Sequence, residues 1–197
     1  MSNFIRKNIT DSADDFLNIV WGEIQRFPII NGGDLIPVET STARELTEYL
    51  DLYAGIDAWQ VKHYHNAITG IASRVQWVGN KDPYNSFSIR IKSKTGKPTE
   101  LDKRLNAIQT PGFIYPHLTV QAFLDKKGGN LLSAAAIRTK ELISYADYIL
   151  NYFEYNDEDC GIITNNDNSQ FLYISWKRLI EENILYEQDV FKTWWVF

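Results

Sequence analysis

Ile68-Thr69-Gly70-Ile71-Ala72-Ser73-Arg74-Val75-Gln76-Trp77 has the two-residue period of a β-strand. Ile71, Ser73, Val75 and Trp77 fall on one face, and Ala72, Arg74 and Gln76 on the other. Asp57 to Lys62 reads as the preceding strand, turned back at His63 to Asn66. Ser86 to Ser93 and His117 to Leu124 repeat the alternation. In the first of these, Phe87, Ile89 and Ile91 oppose Ser88, Arg90 and Lys92. In the second, Leu118, Val120, Ala122 and Leu124 oppose Thr119, Gln121 and Phe123. Arg74, Gln76, Arg90 and Gln121 form one polar stripe if the registers agree. Such a stripe is either an ordinary solvent-facing sheet surface or a set of planar hydrogen-bonding groups suited to phosphate or carboxylate.

Working outward, helical signals flank these strands. Ser12-Ala13-Asp14-Asp15 reads as a capped helix start, with the helix running to about Arg26 before Pro28. Phe16, Ile19 and Val20 share a face of it, and Glu23 lies on that same face. Ile29 to Pro37 reads as a connection, and Thr42-Ala43-Arg44-Glu45 opens a second helix to about Leu50. Thr99-Glu100-Leu101-Asp102 caps a short helix to about Ile108. Leu131 to Ile137 is a strand, Thr139 opens a helix to about Tyr152, and Gly161–Thr164 with Phe171–Ser175 forms a hairpin before a helix from Trp176. The expected class is α+β: a single mixed or antiparallel sheet flanked by helices, in one domain. Residues 12–137 form its core and 138–197 an acidic hairpin-helix extension.

Twenty basic residues stand against 25 acidic ones in 197 residues, a net charge of −5 that superficially disfavours nucleic acid. The charge is unevenly spread. Ser88 to Arg104 holds six basic residues and two acidic ones, including Arg90, Lys92 and Lys94, whereas Thr139 to Phe197 holds four and eleven. The first segment is either a lysine-guarded strand edge or a phosphate-binding patch, since affinity follows the local field. The acidic third offers a surface to a protein partner. No apolar run suggests a membrane span, the first residues lack a signal-peptide pattern, and Cys160 is the only cysteine, so a cytoplasmic setting is expected.

A helix with a core-facing acid, Gly55-Ile56-Asp57 opening a strand, a hairpin, then Gly70-Ile71-Ala72-Ser73-Arg74-Val75-Gln76, a further strand, a helix and another strand: this order resembles the PD-(D/E)xK nuclease superfamily, the restriction-endonuclease-like fold. The resemblance implies a Mg²⁺-dependent phosphodiesterase. Asp57 would match the family's aspartate, and Glu23 its helix acid, both near the metal. The strand acid and lysine would fall on Ala72 and Arg74, or on Arg74 and Gln76. Arg74 and Gln76 would orient the scissile phosphate, and Arg90, Lys92, Lys94 and Gln121 would hold the nucleic acid. The sequence departs from the pattern at Ala72, where a hard oxygen ligand is missing unless Glu39 or Asp51 supplies it. The alternative is an inactive member of that fold, binding a protein or nucleic acid without cutting.

Other chemistries fit less well. His63 and His65 have zinc-ligand spacing but sit at a turn with no second ligand pair. Gly96-Lys97-Pro98 lacks the spacing of a P-loop, and no G-x-S-x-G elbow occurs. Trp194-Trp195-Val196-Phe197 is expected to dock on the domain.

Overall fold

The computed structural model describes residues 11–38, 55–152 and 158–193. In chain order its elements are helix α1 (residues 11–24), strands β1 (Asp34–Pro37), β2 (Ala58–Lys62), β3 (Ala67–Trp77) and β4 (Ser86–Lys92), then helix α2 (Glu100–Gln109). Strands β5 (Leu118–Leu124) and β6 (Leu131–Arg138) precede helix α3 (Thr139–Tyr152). Strands β7 (Cys160–Thr164) and β8 (Gln170–Ser175), helix α4 (Trp176–Glu181) and strand β9 (Val190–Lys192) complete them. The expected helix after Thr42 and the aromatic C-terminus lie outside the described residues.

The fold is α+β with two sheets, not one. A mixed six-stranded sheet has the order β1-β2-β3-β5-β6-β9, and a three-stranded sheet the order β4-β8-β7. Only β3 and β5 run parallel, with Arg74 beside Gln121; the other pairs are antiparallel. The alternation of β4 is real, but the strand hydrogen-bonds to β8 and not to β3 or β5. The segment after residue 138 is woven into both sheets: β8 pairs with β4, and β9 with β6.

Apolar burial explains the layering. Ile71, Val75, Val120 and Ala122 pack against Phe16, Val20 and Ile24 of α1. On the opposite side Phe123 and Ile137 pack with Leu101 of α2, Leu142 and Ile143 of α3, and Phe87, Ile89, Leu172 and Ile174 of the second sheet. The polar face of β3 and β5 therefore lies under a second layer of structure.

Two local expectations change. Residues 34–37, expected as connection, form edge strand β1, where Pro37 is tolerated because an edge strand has a side without ladder bonds. The chain enters β1 through Gly33 at φ 96°, where a Cβ would lie 2.8 Å from the Val61 carbonyl. Helix α1 is already helical at residue 11, so Ser12 lies inside it. The buried Asp15 accepts hydrogen bonds from Trp77 Nε1 at 2.7 Å and from the Gly128 N–H at 3.1 Å, tying α1 to the sheet.

Candidate functional site

A cavity of about 740 Å³ opens between the start of α1, the segment leading into β2, the strands β3, β4 and β5, and the first turns of α2. Asp57, Arg74, Arg90 and Gln121 line it, as do Ser73, Ser88, Glu100, Lys103, Arg104 and Thr119. Four of the residues expected from the sequence thus converge, although β4 belongs to another sheet. The second sheet folds over the first and brings Arg90 to the same opening as Arg74.

Asp57 is placed by the β2–β3 register. Ala58 opposes Ile71, so Asp57, one residue earlier, faces Ala72. Its Oδ2 accepts the Ser73 backbone N–H at 2.5 Å and the Ser73 hydroxyl at 3.3 Å. Two positions along β3 from Ala72, on the same face, Arg74 donates through Nη1 to the Ser88 carbonyl and hydroxyl, both at 2.7 Å. These bonds lock its planar guanidinium between the two sheets.

Glu100 was legible from sequence only as a first-turn acid of α2, yet it is the hub of the site. Its Oε2 lies 3.1 Å from Arg74 Nη2, and its Oε1 lies 3.0 Å from Arg104 Nη2. The Arg90 backbone N–H also donates to Oε2, at 3.3 Å. Burial alone would push the Glu100 carboxyl pKa up. The charges of Arg104 and Arg74, with the Arg90 N–H and charge, outweigh it and hold the carboxyl below its ordinary value. Arg104 continues inward to Thr119 Oγ1 at 3.3 Å, which contacts Thr139 Oγ1 at 2.8 Å. The i,i+4 spacing of Glu100 and Arg104 was the available signal for this pair; nothing local linked either to β3.

Arg90 differs from its neighbours. Its guanidinium lies 5.1 Å from the centre of the Phe171 ring, beside Arg74 at 5.7 Å from the same ring. Among the described residues it has no ion pair or side-chain hydrogen bond. Gln121 is 2% exposed on the cavity floor, and its Nε2 is buried without a hydrogen-bond partner among the described residues.

The remaining expected residues do not join this group. Glu23 is half-exposed and pairs with Arg26 at 2.8 Å, rather than facing the core. The cause is the π-helical turn Phe16–Val20, whose wider winding shifts the phase of every later residue in α1. Gln76 follows Arg74 on the same face but sits beside Phe123, and it does not line the cavity. The β-bulge between Arg90 and Lys92 breaks the alternation, so Lys92 and Lys94 are exposed outside the cavity. His63 contacts Asp34 at 3.0 Å on the surface. In the acidic third, Asp159 is engaged by Ser175 at 2.9 Å and Lys177 at 3.0 Å.

A Mg²⁺ ion requires several hard oxygens around one point. Ala72 stands where the second carboxylate is needed, Asp57 Oδ2 receives two hydrogen bonds from Ser73, and both Glu100 oxygens face guanidinium groups. Among the described residues no three His, Cys, Asp or Glu side chains come together as a metal group. Glu39 and Asp51 lie outside the described residues. The described residues do not fit a magnesium site. Guanidinium planes such as those of Arg74 and Arg90 are instead complementary to the oxygens of an anion such as phosphate. No helix among the described residues is long and apolar enough to cross a membrane. No family model, curated protein or solved structure matches the chain.

Proposed function

We propose that the protein binds nucleic acid through its phosphate backbone at this cavity, on a nuclease-like arrangement whose cutting site is degenerate. One observation carries the reading: Arg90 is held over Phe171, without a carboxylate partner among the described residues, at the mouth of a cavity that also holds Arg74 and Lys103. The Arg90 guanidinium makes no ion pair or side-chain hydrogen bond among the described residues, so its planar donors are open to a phosphate. Asp57 before a hairpin strand and Arg74 on the next strand support the resemblance to the PD-(D/E)xK group, and Ala72 departs from it. The alanine favours binding over cleavage, so no metal-dependent step is assigned.

The test is fluorescence anisotropy with labelled DNA and RNA oligonucleotides over a salt series. Affinity should fall as salt rises, and Arg90→Ala should weaken binding and lower the salt slope by about one. Binding that ignores salt and survives Arg90→Ala would remove the reading. Cleavage in Mg²⁺ or Mn²⁺ that Asp57→Ala abolishes would replace it with the enzymatic one.

A further inference from the structure

The Gln121 side chain raises a question that backbone binding does not answer. It sits on β5 beside Arg74, on the floor of the cavity, and is 2% exposed. Its amide makes no hydrogen bond among the described residues, and Nε2 is fully enclosed. An unpaired buried amide is costly, and a ligand entering the cavity would supply the missing partner. The terminal torsion of glutamine is soft and roughly two-fold, so a half-turn presents either donor or acceptor to the cavity.

We propose, resting on the backbone-binding reading, that the cavity receives one unstacked nucleotide of a single strand, with its base edge on the Gln121 amide and its phosphate at Arg90. Three features support this. An amide offers a donor and an acceptor side by side, which matches the paired donor and acceptor of a base edge rather than a phosphate. The volume of about 740 Å³ lies within the range of pockets that enclose a small ligand, and it is walled by two sheets and α2. A stacked duplex presents its bases too deep within the grooves to reach a buried floor, whereas a splayed nucleotide can. The division of labour follows. Arg90 at the mouth supplies affinity without base preference, and Gln121 at the floor supplies preference.

The experiment compares labelled 12-mer single strands of each base with a matched duplex at one salt concentration, using wild type, Gln121→Leu and Gln121→Glu. Circular dichroism melting establishes that each variant is folded. Single strands should bind about tenfold tighter than duplex, with one base preferred. A free nucleoside monophosphate carrying that base should compete. Gln121→Leu should lose about tenfold in single-strand affinity and erase the base preference, while keeping the wild-type salt slope. Gln121→Glu should change which base is preferred, because it has lost the donor. Equal binding of duplex and single strand, or an unchanged Gln121→Leu, overturns the nucleotide subsite and leaves backbone binding standing. Absence of salt-dependent binding to either form overturns both.

Discussion

Arg74 Nη2 lies 3.1 Å from Glu100 Oε2, so one ion pair joins the third strand of the central sheet to the first turn of helix α2. Glu100 also holds Arg104, whose side chain is 9% exposed. The pair is therefore a structural strut as well as a wall of the cavity.

Removing the carboxylate should expose that role. Glu100→Ala leaves Arg104 buried without its partner and should cost about 3 kcal/mol. Chemical denaturation at neutral pH checks the value. The folded carboxyl pKa is depressed below its ordinary value of 4.5, so its stabilisation is complete above that value and is lost as pH falls through the folded one. Glu100→Gln should flatten this acid limb of the stability curve.

Asp189 should behave in the opposite sense. It is 2% exposed, and burial pushes its carboxyl pKa up, partly offset by the Ile29 N–H at 3.0 Å and the charge of Arg138. A raised folded pKa means that the contribution to stability is greatest below the unfolded value and is lost as pH rises through the folded one. Asp189→Asn removes that loss. Its stability relative to wild type should increase as pH rises above about 4, the ordinary carboxylate value, and a fall would contradict the assignment.

Arg74 and Arg90 should separate under mutation. Arg74 anchors the Ser88 carbonyl and hydroxyl and the Glu100 carboxylate, so Arg74→Ala should lower both melting temperature and oligonucleotide affinity. The Arg90 guanidinium packs over the Phe171 ring and makes no ion pair or hydrogen bond among the described residues. Arg90→Ala should weaken oligonucleotide binding with a stability change within about 1 kcal/mol.

Gly33 tests the entry into β1. Its φ is 96°, and a Cβ there would stand 2.8 Å from the Val61 carbonyl oxygen, which leaves no room for a side chain. Gly33→Ala should destabilise the fold by about 1–2 kcal/mol, measured by thermal melting.

Much of the strand pattern was legible because the period of two is a property of consecutive residues. That period places Arg74 and Gln121, the resemblance places Asp57, and the structure gathers all three. Glu23 was misplaced because an ideal α-helical period does not anticipate a π-helical turn at Phe16–Val20. The period does not anticipate the bulge after Arg90, and Lys92 lies outside the cavity. Glu100 was overlooked because its partner on β3 lies 26 residues away in sequence.

The sequence by itself determined that the chain is α+β, which residues share each strand face, and that a basic segment and an acidic segment are separate. Those properties are carried by neighbouring residues and by composition. Only the tertiary structure decided that β4 joins β8, that the second sheet covers the first, and that Arg90 therefore meets Arg74 across a shared cavity. Strand partners are chosen by the total apolar surface that a whole arrangement buries. No local period encodes that sum.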